Sequence, residues 1–137
     1  LGVLRAGGAA DALARAMRRP LSRLFRFAAG EEEALGDISL NLSANMLGVG
    51  GAATPAGLAA MQKMARANPN GQASDAMILF LVVNTSSVQL LPTTMIALRA
   101  QAGAANPADI VLPTLLATAV STVCGVAACR LFAGKSA

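Results

Sequence analysis

The sequence predicts an all-α integral membrane domain. It comprises an amphipathic interfacial helix, a re-entrant broken hairpin and two membrane-crossing helices, one of them interrupted. Three observations predict it. First, residues 38–62, 76–98 and 110–129 carry no charged side chain, and Asp37, Lys63, Asp75, Arg99, Asp109 and Arg130 stand at their borders. A helix rises about 1.5 Å per residue, so about 20 residues cross the roughly 30 Å hydrocarbon core. Second, the chain is 55% hydrophobic and 13% charged, where soluble domains run to about 45–50% and about 25%. Eleven basic and seven acidic side chains make a thin skin for a water-soluble body of this size. Third, two of the three apolar windows are interrupted near their middle by runs of polar and helix-breaking residues, 45–57 and 84–94. The competing reading is a soluble, alanine-rich bundle. It is favoured by the absence of Trp and Tyr, which removes the usual interfacial aromatic belt; Phe25, Phe27, Phe80 and Phe132 replace it only in part.

Length fits one domain, residues 1–137. The chain begins at Leu1 without Met and reads as an excerpt lacking its N-terminal part, with residues 1–4 as the tail of a preceding apolar helix. Residues 9–27 form the first predicted helix, bent at Pro20. Leu13, Met17, Leu21 and Leu24 recur at steps of four, four and three; Arg15, Arg19, Arg23 and Arg26 follow the same steps, displaced by two residues. Two residues are about 200° on a helix, so the apolar and basic stripes oppose each other. That pattern suits a helix lying in the membrane surface, its arginines on anionic headgroups. An ordinary core-facing helix with a solvated basic face has the same pattern. Nucleic acid is excluded as a partner, because the basic stretch abuts an apolar segment and has no interleaved aromatics.

Residues 38–62 are long enough to cross but badly broken. Gly48, Gly50, Gly51, Pro55 and Gly57 fall within ten residues. Each glycine weakens a helix and proline removes a donor. Two half-helices, 36–47 and 55–66, around a glycine-rich break fit better than one span. Residues 68–71, Asn-Pro-Asn-Gly, then mark a turn. Ser74 is placed to cap the next helix and Asp75 to favour its first turn. That helix is predicted over 75–83, until Asn84, Thr85, Ser86, Ser87, Gln89, Thr93 and Thr94 interrupt it, with Pro92 as the breaker. Asn106, Pro107 and Asp109 form a helix start, with Asn as N-cap and Pro at the first helical position. The last helix runs to Phe132. Ala117, Ser121 and Gly125 recur every four residues along it, a small-residue stripe suited to close helix packing.

Charge distribution chooses between two topologies. If all three windows cross, seven basic residues face four. If residues 38–62 re-enter and leave by the same side, the six arginines of residues 5–26 join Lys63, Arg66, Arg130 and Lys135, and ten face one. The glycine cluster and the charge bias therefore favour the same answer, with the ten-charge side cytoplasmic.

Several chemistries are excluded. With no His, no Ser-His-Asp or Cys-His constellation exists, and with no carboxylate inside the apolar windows there is neither a metal site nor a proton relay; no cofactor and no enzymatic activity are expected. Gly48–Ala53 matches a loose dinucleotide-binding pattern but lacks the strand–helix–strand context. Residues 134–136, Gly-Lys-Ser, resemble the end of a phosphate loop, but Cys129 stands where its first glycine belongs. Cys124 and Cys129 are expected to be buried small apolar residues. The glycosylation sequons at Asn41 and Asn84 lie in apolar windows and carry no weight. What remains is a pair of apolar segments, each broken near its middle by polar residues. Such paired interruptions are the best sequence pointer to a transporter-like site. The residues expected to form it are Asn45, Thr54, Asn84, Thr85, Ser86, Gln89 and Thr94, offering uncharged hydrogen bonds to a small polar solute or a partner helix. They could equally serve to cap broken helices and bond one another.

The stretches NMLGVGGAATPAGLAAMQ from Asn45, FLVVNTSSVQLLPTTMIALRA from Phe80 and NPADIVLPTLLATAVSTVCG from Asn106 resemble the bacterial spore maturation protein A family. The resemblance covers residues 38–132. That family is grouped with the nucleoside-recognition or Gate domain, found also in nucleoside transporters and in the membrane part of ferrous-iron transport protein B. The resemblance implies a multi-pass protein of the bacterial inner membrane with a homologous partner, spore maturation protein B. It implies recognition or transport of a small polar solute, or else a structural membrane-complex subunit with no solute of its own. The family also occurs in bacteria that form no spores, so sporulation is not inferred. The chain departs from the family pattern at Gly51, where the family carries Asn.

Overall fold

The computed structural model describes residues 2–68, 71–86 and 88–133, with side chains from Gly8 onward except those of Ala52 and Ala133. All regular elements among these residues are helical: α1 (Gly2–Leu24), α2 (Leu35–Met46), α3 (Gly50–Ala67), α4 (Asp75–Ser86), α5 (Thr93–Gln101) and α6 (Val111–Ala133), with single 3-10 turns at Glu31–Ala34 and Pro107–Ile110. One of these helical stretches, Pro107–Phe132, is long and apolar enough to cross a membrane, with a mean hydropathy of 2.0 over its best window. α4 is apolar but has only 12 residues.

The first helix starts earlier than residues 9–27 and stops at Leu24, passing through Pro20 without ending. Its inner stripe is Ala10, Ala14, Met17, Leu21 and Leu24, with Phe25 just beyond the helix; Leu13 is only partly covered. This stripe packs on α2, and Arg15, Arg18, Arg19, Arg23 and Arg26 stay exposed. The apolar surface that the periodicity assigns to a membrane interface is therefore spent on another helix. After α1 the chain turns through Gly30, φ 87°, and the Glu31 carboxylate receives the Ala28 N–H at 2.9 Å.

α2 and α3 form an antiparallel hairpin. Asp37 near the start of α2 pairs with Lys63 near the end of α3 at 2.6 Å. The break between them is shorter than expected, only residues 47–49, because α3 begins at Gly50 and not near Pro55. Gly48 explains this. Its φ of 71° ends α2 in a two-bond cap: Val49 N–H reaches Ala44 O at 2.8 Å and Gly48 N–H reaches Asn45 O at 3.0 Å. Once the chain has reversed there, the following residues, Gly50 and Gly51 included, continue as helix. Pro55 costs α3 one hydrogen bond but does not end it.

α4 is capped as expected, Met77 N–H donating to Ser74 Oγ at 3.2 Å. It then runs through Asn84, Thr85 and Ser86, three residues past the predicted end. Within the helix the hydroxyls fold back onto it: Thr85 Oγ1 donates to Leu81 O at 2.7 Å and Ser86 Oγ to Val82 O at 2.8 Å. Pro92, at φ −76° and ψ 65°, makes a tight turn in which Thr93 N–H returns to Leu91 O at 2.8 Å. The helix start at Asn106 is a 3-10 turn, and Asn106 makes no side-chain capping bond. Of the expected small stripe on α6, Ala117 and Ser121 are exposed; Gly125 meets α4, where an added Cβ would stand 2.7 Å from Val82 Cγ1. The covered face of α6 runs instead through Thr118, Thr122, Gly125 and Cys129, while Cys124 lies exposed on the outer face, not buried. The turn at residues 69–70, Ser87 and Lys135 lie outside the described residues.

The core gathers Leu21 and Phe25 from the first segment, Ile38 and Leu42 from α2, Ala60 and Met64 from α3, and Ala76, Leu79, Phe80 and Val83 from α4. On α4 these four fall at the i, i+3, i+4, i+7 spacing of one helical face. The opposite condition holds on the outside of α6, where Leu112, Leu116, Val120 and Val123 are all more than half exposed.

Candidate functional site

The two interrupted segments meet. The last carbonyls of a helix have no partner within it, and Met46 O, at the end of α2, is satisfied from the second break: Leu90 N–H donates to it at 2.9 Å and Leu91 N–H at 3.3 Å. Thr93 Oγ1 lies 3.5 Å from Gly48 O. One turn deeper, Asn45 Nδ2 donates to Asn84 Oδ1 at 2.7 Å. Gln89 N–H, on the far side of the second break, is taken by Thr118 Oγ1 of α6 at 3.2 Å. Groups released by one broken helix are thus bonded by the other or by α6.

Beneath this junction lies an open cleft of about 400 Å³ between α2, α3 and α4. Asn41, Asn45, Thr54 and Asn84 supply its polar wall; Ala53, Gly57, Leu58, Met61, Phe80 and Leu81 supply the rest. None of these residues is ionisable. Asn41 is 2% exposed, and its Nδ2 donates to Ala53 O at 2.7 Å. Its Oδ1 is buried and has no hydrogen-bond partner. Gly57 makes this placement possible, since a Cβ there would stand 2.7 Å from Asn41 Nδ2. A buried amide carbonyl left unpaired costs about 1–3 kcal/mol.

The expected site residues divide into two groups. Asn45, Thr54 and Asn84 line the cleft. Thr85 and Ser86 spend their hydroxyls on their own helix, Gln89 bonds α6 through its backbone, and Thr94 is exposed on α5; none of these four lines the cleft. Asn41 was missing from the expected set. The available signal was its position four residues before Asn45, which puts both amides on one face of α2.

No protein-family model and no solved structure matches the chain. Spore maturation protein A of Bacillus subtilis (strain 168) does, at 43% identity over 126 residues, which cover 91% of this chain and 64% of the relative. The chain belongs to the spore maturation protein A family. In this member of the family the second residue of α3 is Gly51, which is exposed and has nothing within 4 Å of the position a Cβ would take. A larger side chain would fit there without repacking, so the glycine is not a steric requirement of the fold.

Proposed function

We propose that this family member is a multi-pass protein of the bacterial inner membrane, with Gate-domain character and no enzymatic activity, that recognises or transports a small uncharged polar solute. It does so together with a homologous partner resembling spore maturation protein B. In this reading α6 crosses the bilayer, α4 and α5 form the interrupted crossing helix, and the α2–α3 hairpin re-enters from the cytoplasmic side. α1 lies at the cytoplasmic headgroups with its arginines outward.

Three features support this placement. The outer face of α6 is apolar apart from Ser121 and free of charge from Val111 to Cys129. Arg26, Asp75 and Arg130 line one cavity, so the end of α1, the start of α4 and the end of α6 lie together, while Arg99 and Asp109 pair at 2.7 Å at the opposite end of α6. The only non-helical backbone among the described residues of the two broken segments is at residues 47–49 and 88–92, where most of its polar groups bond within the protein. Irregular backbone at membrane depth is tolerated only on that condition or beside a wet cavity.

The observation that carries the solute reading is the uncharged polar wall of the cleft between α2, α3 and α4, three amides and one hydroxyl, with the Oδ1 of Asn41 left unpaired behind it. Such a wall suits a neutral ligand that brings a hydrogen-bond donor. The test screens neutral solutes (amides, polyols, nucleosides) for thermal stabilisation of the purified complex, then repeats the screen on Asn41→Ala. A solute that stabilises the wild type should lose at least about tenfold in affinity in the variant, as expected when a hydrogen bond worth about 1.4 kcal/mol disappears. The exposed apolar face of α6 favours a second reading, a structural subunit that pairs with its homologue and binds no solute. If Asn84→Ala and Ser86→Ala abolish assembly and no solute stabilises the wild type, that second reading stands.

A further inference from the structure

A second cavity, of about 440 Å³, lies between the end of α1, α4 and the C-terminal part of α6. Its wall is mainly hydrocarbon, with Ile78, Val82 and Phe132 among the side chains, and Ile78 and Phe132 are themselves exposed beside the bare face of α6. Its ionisable groups are Arg26, Arg130 and Asp75. Both arginines are exposed, and among the described residues neither has a carboxylate within ion-pair distance; the pairs there are Lys63 with Asp37 and Arg99 with Asp109. Arg130 donates to the Leu24 backbone carbonyl at 3.4 Å, a long bond that leaves most of the guanidinium fork uncommitted. Asp75 occupies the first turn of α4, where the helix N–H groups offset its charge. The mouth is therefore cationic over an apolar floor.

We propose that this cavity takes an acyl chain of an anionic phospholipid, with the lipid phosphate held by Arg26 and Arg130. The inference rests on the bilayer placement proposed above, which puts both arginines at the cytoplasmic leaflet, where anionic headgroups concentrate. Guanidinium groups match phosphate oxygens in paired hydrogen bonds. A zwitterionic lipid would fill the floor equally well but would bring a quaternary cation to the same mouth, so the two arginines select for net negative charge.

The test uses the full chain in nanodiscs of equal phosphatidylglycerol and phosphatidylcholine, with retained lipid counted by native mass spectrometry. The wild type should keep phosphatidylglycerol in preference to phosphatidylcholine. Two surface arginines contribute about tenfold or more to such a preference, and Arg26→Gln with Arg130→Gln should remove it. Arg19→Gln with Arg23→Gln takes the same charge from the exposed face of α1 and should lower it much less. Ala128→Trp should fill the cavity and displace the lipid with all charges intact. Equal retention of the two lipids, or equal effects of the two double variants, would overturn the proposal in favour of diffuse attraction. A chain that elutes without any nanodisc would overturn the bilayer placement itself, and is recognised by that elution.

Discussion

A methyl group on Gly48 would meet Thr93 Oγ1 at 2.7 Å and Leu91 O at 2.8 Å, on a residue whose φ is 71°. Backbone strain alone makes Gly48→Ala cost about 1–2 kcal/mol, and the two contacts add to it. Gly51, three residues on, is an internal contrast: it is helical, exposed and surrounded by open space. Gly51→Ala should stabilise by about 0.5–1 kcal/mol, so thermal unfolding of the two variants in detergent should move in opposite directions. Both glycines look alike in the sequence, because a glycine run says that helix is weak there without saying which residue turns. The amides were similarly half legible. Asn45 and Asn84 stand out as polar residues beside breaks, whereas Asn41 sits inside a regular helix and shows its importance only once Ala53 and Gly57 are seen against it.

The helices themselves were largely readable from charge-free windows and turn residues, and the errors share a physical cause. Pro55 and the run from Asn84 to Ser86 have helix-breaking propensities, yet α3 and α4 absorb them. Propensity is a weak prior that packing overrides: α4 buries Phe80 and Val83 just ahead of the polar run, and α3 buries Ala53 and Ala56 around the proline. The stripe of small residues on α6 was misplaced for a related reason. An alanine-rich helix offers several such stripes, and only the facing helix decides which is used. The α4–α6 contact is consequently testable at Gly125. Gly125→Leu should destabilise by about 1–3 kcal/mol through overpacking, and Val82→Ala should recover part of that loss, since Val82 Cγ1 is the atom in the way. Simple additivity of the two changes in a double-mutant cycle would show that the helices are not in contact there.

At the scale of the whole molecule, the structure joins a three-helix unit, α1 to α3, to an arm made of α4, α5 and α6. The first unit is well covered: its core residues Ile38, Ala60 and Met64 are completely buried. Of the arm, α4 buries one face in the same core, whereas α5 has no buried residue and the outer face of α6 is bare. In water Leu112, Leu116, Val120, Val123, Leu131 and Phe132 of α6 would stand as an exposed apolar face, a feature that marks an interaction surface; in a bilayer the same face needs no cover. The proposed bilayer environment is read from composition and the proposed orientation from charge counting. That environment also sets the context of the amide-lined cleft, whose uncharged hydrogen-bonding groups carry more weight in apolar surroundings than in water. The most direct measurement of the central claim is the depth of a spin label at Val120, 63% exposed at the middle of α6, by power-saturation paramagnetic resonance in proteoliposomes. The account predicts strong relaxation by oxygen and weak relaxation by a water-soluble nickel chelate, as at a bilayer centre. Relaxation dominated by the nickel chelate would place that face in water and contradict it.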